Sequence, residues 1–192
     1  MNTKSSLVIW PWWVRLSHWL VAFGVITLWL MVYVYYETDQ IHRLLGYALT
    51  IIVALRILAG VFTPSVAARL SWPKWQPLNQ HMQHLKMREL PVQHGHNPLG
   101  MLAVYWLWAC IALLAFTGWL SRTDALWGED WPVDLHAGLS YVLMASVLLH
   151  VVAVLVLSCL ARQHLLAQML HGRLTKFSAK SKKTNSAHTT FP

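Results

Sequence analysis

The chain has 192 residues, of which 56% are hydrophobic and only 11% charged, whereas soluble domains carry about a quarter charged residues. With a mean hydropathy of +0.43, this excludes an ordinary soluble globule and points to an integral membrane protein. The net charge of +8 does not argue for nucleic acid, because the basic residues fall between apolar runs, where they report membrane topology.

The amino-terminal segment has Lys4, a short apolar stretch interrupted by Arg15, and no small-residue cleavage site, so the first span is expected to insert uncleaved. Four spans are predicted, at about residues 12–36, 42–63, 98–120 and 135–161. Each is long enough for a hydrocarbon core about 30 Å thick, which needs about 20 residues of helix. The first takes in Arg15 and His18. The second begins near His42, is broken only by Arg56 and stops at Pro64. The third is charge-free and opens at Pro98, a residue suited to a first helical turn. The fourth carries His136 and His150 and no charge. The expected fold is an all-α membrane protein, a four-transmembrane-helix up-down bundle occupying residues 1–171. Residues 162–171 read as an amphipathic helix at the interface, and 172–192 as a basic, disordered tail whose Lys, Ser and Thr cannot form a core.

The connections set the expected orientation. The first holds Glu37 and Asp39 beside Arg43, and the third holds Arg122 with Asp124, Glu129, Asp130 and Asp134. The second carries Arg69, Lys74, Lys86 and Arg88 against Glu89, and the tail is basic. The positive-inside rule then puts both termini and the 64–98 connection on the cytoplasmic side of a bacterial inner membrane. Trp10, Trp12 and Trp13 at one end, with Trp119, Trp127 and Trp131 at the other, read as interfacial anchors. Cys110 and Cys159 have no metal-site spacing and read as small core residues.

Eleven histidines need more than one explanation. His136 and His150 are fourteen residues apart, so on one helix they point within roughly 40° of each other and lie about 21 Å apart. Sorted by depth, His18 matches His150 near the cytoplasmic surface, and His42 matches His136 near the outer one. A lone imidazole in an apolar span is as readily a core residue bonded to a carbonyl as a ligand; two depth-matched pairs argue for ligands. Two imidazoles facing each other across an apolar bundle suit a haem held by histidine on both faces. Zinc wants three or four protein ligands, and the spans offer no carboxylate or thiolate at these depths. Arg56, fourteen residues after His42, reads as the partner of a haem propionate, and Arg15, a turn before His18, as a second such partner or a snorkelling cation. Gly46 and Gly138 would let a ring approach the backbone. His81 and His84 read as solvated loop residues. His94 or His96, in HGHNPLG, is the alternative ligand at the cytoplasmic-side site, and His164, His171 and His188 read as surface residues.

Several segments resemble the bacterial cytochrome b561 family, which includes the b-type cytochrome subunits of nickel-iron hydrogenases. They are VRLSHWLVA, HRLLGYALTIIVALRILAG, GHNPLGMLAVYWL, TGWL, LLHVVAVLVLS and LARQHLLAQMLHGR, spread over about residues 8–173. The resemblance implies a four-helix cytochrome with two haems b, its iron ligands falling on His18, His42, His136 and His150. The chain departs from the family pattern at Trp10-Pro11, where an aspartate commonly follows the tryptophan, and at Leu58-Ala59-Gly60, where a tryptophan-glycine pair is common.

The expected function is electron transfer between the quinone pool and a periplasmic partner, a c-type cytochrome or a hydrogenase-like subunit, docking on residues 121–134. Haem iron with two histidines has no open position, which leaves outer-sphere exchange as the task. Two alternatives are a stand-alone oxidoreductase passing electrons from superoxide or another small reductant to quinone, and a transporter using histidines as proton or metal relays. The transporter predicts broken helices or ion-pairing carboxylates, which the spans lack.

Overall fold

Charge-free apolar runs in hydrocarbon must satisfy every backbone donor and acceptor internally, and a continuous helix does so. The computed structural model describes residues 10–34, 39–64, 68–70, 98–160 and 163–172. It contains four long helices: α1, Trp12–Val34; α2, Asp39–Phe62; α3, Pro98–Leu120; and α4, Trp131–Leu160. A short helix, α5, follows at Leu165–His171. The four long helices are long and apolar enough to cross a membrane, so the chain is an all-α, multi-pass membrane bundle. Two helices start ahead of their predicted spans. Asp39 lies in the first turn of α2 and Asp134 in that of α4, where a carboxylate favours the positive end of the helix dipole. At α4 the Asp130 carbonyl also accepts from the Val133 and Asp134 amides, at 3.0 and 3.1 Å.

Sequential helices are neighbours. α1 packs on α2, α2 on α3 and α3 on α4, while α5 folds back on α4. The central core takes Val25 from α1, Leu49 and Val53 from α2, Cys110 and Ile111 from α3, and Leu143 from α4. Its register against the histidines is regular: Val25 is seven residues after His18, Leu49 lies seven from both His42 and Arg56, and Leu143 seven from both His136 and His150. Seven residues are nearly two turns, about 10 Å along one helix face. The bundle therefore has an apolar middle layer with a histidine level on either side of it.

A second cluster closes the end that holds the termini. Trp10, Val14 and Ala68 are buried there, with Trp13 and Met169 packed on them. α5 is tied to the start of α1 by a Trp10 amide bond to the Gly172 carbonyl at 3.4 Å and by Arg15 Nη1 donating to the Leu170 carbonyl at 2.7 Å. Gly172 ends α5 in the left-handed conformation, φ 72°, and its amide returns to Gln168, a glycine-terminated helix end. Trp10 and Trp13 are thus packing residues, whereas Trp12, Trp119, Trp127 and Trp131 are exposed, as interfacial anchors should be. Cys110 is in the core, but Cys159, expected there too, is exposed on α4.

Candidate functional site

The helix pairs that carry matched histidines, α1 with α4 and α2 with α4, are not among the closely packed pairs. His42, in the first turn of α2, and His136, early in α4, meet across the bundle with ring centroids 6.2 Å apart and planes at 70°. Two imidazoles bonded to one metal at about 2 Å each have centroids roughly 6 Å apart, so this spacing fits a shared iron. Each ring also has a polar neighbour outside the pair: His42 lies within reach of the Leu28 carbonyl of α1, and His136 Nδ1 lies 3.1 Å from Thr117 Oγ1 of α3. Gly118 makes the second contact possible. A Cβ there would come within 3.2 Å of His136 Cε1 and 3.4 Å of Nδ1.

The other level, nearer the chain termini, brings His18 of α1 within electrostatic reach of His150 of α4. His18 stands edge-on to Trp19, 5.3 Å between centroids and 88° between planes. Its Nδ1 is buried without a hydrogen-bond partner among the described residues.

Beside this level lies Arg56, only 8% exposed. Its guanidinium is held between the rings of Trp13, at 4.9 Å from the centroid, and Trp108, at 5.8 Å. Nη2 donates to the Ala68 carbonyl at 3.4 Å, while Nη1 is buried with no partner among the described residues. Gly60 leaves room for this head group, since a Cβ would stand 2.8 Å from Nη1 and 2.6 Å from Leu70 Cγ. Two aromatic faces contribute roughly 1–2 kcal/mol each to a desolvated cation. Stripping a charge of water costs several kcal/mol. The site therefore suits an incoming carboxylate. Arg15 has a fixed partner in Leu170, but its Nε is also buried and has no partner among the described residues.

The six residues singled out from sequence fall on these two levels: His42 and His136 at one, and His18, His150, Arg56 and Arg15 at or beside the other. A Cβ at Gly46 or Gly138 would meet nothing within 4 Å, so neither crowds a neighbour. His81, His84, His94, His96 and His188 lie outside the described residues. His164 and His171 are exposed on or beside α5, and His171 Nδ1 bonds the Ala167 carbonyl at 3.2 Å. Among the described residues no three His, Cys, Asp or Glu side chains gather as a metal cluster; the histidines come in twos. Trp13, Trp108, Gly60, Thr117 and Gly118 escaped sequence reasoning. TGWL was visible as a segment, but nothing in one sequence tells which helix face meets His136.

The donor set is neutral imidazole in apolar walls, with unsatisfied guanidinium nitrogens at one level. This fits a haem, whose iron takes two axial nitrogens and whose rim carries carboxylates. No curated protein and no solved structure matches the chain significantly. The family model described as prokaryotic cytochrome b561 matches residues 9–172, which takes in all four membrane helices and both histidine levels. The chain therefore belongs to the prokaryotic cytochrome b561 family, and is a membrane b-type cytochrome that binds haem b and serves electron transfer.

Proposed function

We propose that the protein holds two haems b, one between His42 and His136 and one between His18 and His150, and carries electrons between the quinone pool and a separate periplasmic redox protein. The observation that carries this reading is the pair of matched imidazoles His42 and His136 at 6.2 Å, with His18 and His150 within electrostatic reach of each other at the other level. A haem with two histidine ligands supplies one-electron exchange without an open coordination site. The protein's own task is placement. Leu28 and Thr117 orient the two imidazoles of one level. Arg56 offers Nη1 to a propionate at the other, with Arg15 Nε as a second donor, and Trp13 and Trp108 keep water from the guanidinium. The layer of Val25, Leu49 and Leu143 holds the levels about 20 Å apart along α4, so electrons can be passed across most of the bilayer.

Orientation follows from charge. With the termini cytoplasmic in a bacterial inner membrane, the α3–α4 connection faces the periplasm. There Asp39 pairs with both Arg122 and Arg43. Asp124, Glu129, Asp130 and Asp134 are exposed and make no ion pair among the described residues. That end is acidic in effect, because its arginines are occupied. It suits a basic c-type cytochrome, although a hydrogenase-like subunit docking on residues 121–134 would use the same surface. A reduced-minus-oxidised visible spectrum of the purified protein with haem quantitation tests the reading. Two b-type haems per chain are expected, and a single haem would remove one of the two levels.

A further inference from the structure

We infer that Thr117 and Gly118 are positioning residues for His136: the threonine hydroxyl selects the imidazole tautomer that can bind iron, and the glycine gives the ring its place. The inference rests on the reading of His136 as a haem ligand and deepens it. An imidazole binds metal through a nitrogen that carries no proton, and which nitrogen that is depends on the hydrogen bond made by the other. His136 Nδ1 is 3.1 Å from Thr117 Oγ1.

A hydroxyl has one proton to give. Thr117 is in helix α3 and only 2% exposed, and its Oγ1 donates back to the Leu113 carbonyl at 2.9 Å, with the Leu114 carbonyl at 3.2 Å. With its proton spent on these carbonyls, the oxygen can only accept from His136. Thr117 thus calls for a proton on the ring nitrogen facing it, Nδ1. Nε2 is left with its lone pair for iron.

The neighbouring glycine has a steric role. Cβ contacts at 3.2 and 3.4 Å to Cε1 and Nδ1 mean that any side chain at position 118 would press on the ring edge that makes this bond. Thr117 and Gly118 are adjacent, so one turn of α3 fixes both the proton and the pose of a ligand carried by α4. An acceptor on Nδ1–H also makes the imidazole a stronger donor to iron, so removing it should favour the reduced state.

The test uses the purified full-length protein with its haem bound, in four variants: Thr117→Val, Thr117→Ser, Gly118→Ala and, as the reference, His136→Ala. His136→Ala identifies the spectral component of its level by abolishing it. Thr117→Val, nearly isosteric, should raise the midpoint potential of that component. It should also weaken haem retention there by about 10-fold or more, the usual cost of losing a partner of a metal-bound histidine. The other component should keep its potential and occupancy. Thr117→Ser should restore both quantities, and Gly118→Ala should lower occupancy of the same component alone. Wild-type potential and retention in Thr117→Val would overturn the inference while leaving the ligand reading intact. So would equal shifts of both components, or a serine variant that behaves like valine. If His136→Ala leaves both components in place, the ligand reading itself falls, and the inference with it.

Discussion

The two histidine levels are built on the same helices, yet they are finished differently. At the α1–α2 end, His42 and His136 face each other at 6.2 Å, with the Leu28 carbonyl within reach of one ring and Thr117 Oγ1 3.1 Å from the other, both on neighbouring helices. At the end with the termini, His18 Nδ1, Arg15 Nε and Arg56 Nη1 are all buried and unpaired among the described residues. A buried polar group without a partner costs about 1–3 kcal/mol and a charged one more. Among the described residues the first level leaves no buried side-chain nitrogen open, whereas the second leaves these three. On the proposed two-haem reading, the levels would hold their haems by different means. One would rely on oriented ligands, the other on ligands plus a cation that suits a carboxylate.

The largest effect should come from the ligands. His42→Ala or His136→Ala should take haem content from two per chain to one and remove one spectral component, while His18→Ala or His150→Ala removes the other. Loss of the same component from His18→Ala and His136→Ala, with His150→Ala harmless, would break the comparison. A histidine in HGHNPLG would then be the substitute ligand.

Replacing Arg56 should distinguish the levels more finely. A nearby positive charge favours the reduced, more negative state, so Arg56→Leu should lower the midpoint potential of the His18/His150 component by on the order of 50 mV. The His42/His136 component should hardly respond. Equal shifts in both would show a general packing defect, and Arg56→Lys, which keeps the charge, should move the potential less than leucine does.

The acidic end offers a kinetic test. Neutralising Asp124, Glu129, Asp130 and Asp134 together should slow exchange with a basic c-type cytochrome about tenfold at low salt. The deficit should shrink as salt rises, because steering charges are screened over roughly 10 Å at 0.1 M. Reduction of the haems by quinol should be unaltered. Wild-type exchange at low salt would move the docking surface into the membrane, against a hydrogenase-like subunit.

The smallest effect is expected at Arg15. Its Nη1 already serves the Leu170 carbonyl, so Arg15→Gln should cost about 1 kcal/mol in the docking of α5, visible as faster limited proteolysis beyond Leu160. Its shift in midpoint potential should be smaller than that of Arg56→Leu. A larger shift would transfer the propionate contact from Arg56 to Arg15.

The four helices were legible because hydrocarbon leaves a chain of this composition little choice. Runs of about 20 apolar residues must be helical and must cross, and most charges collect between them. The depth of His18, His42, His136 and His150 was legible for the same reason, since a helix converts residue number into height at about 1.5 Å per residue. The structure added what lies around each helix at that height. Lateral neighbours come from different parts of the chain, so no local pattern announced that Trp13 and Trp108 would close on Arg56. Nor did any pattern show that Gly60 would make way for its head group.

The sequence by itself determined the class of the molecule, the number of its spans, the heights of its histidines and the family to which it belongs. Only the tertiary structure decided that Thr117 meets His136 and that Arg15 ends α5. Only there are Trp10 and Trp13 packed, when composition alone would leave them as anchors. Height along a helix is a one-dimensional quantity written into residue spacing. The facing of one helix to another depends on how side chains of all four interlock around Leu49, Cys110 and Leu143, and that is settled only when the whole bundle has formed.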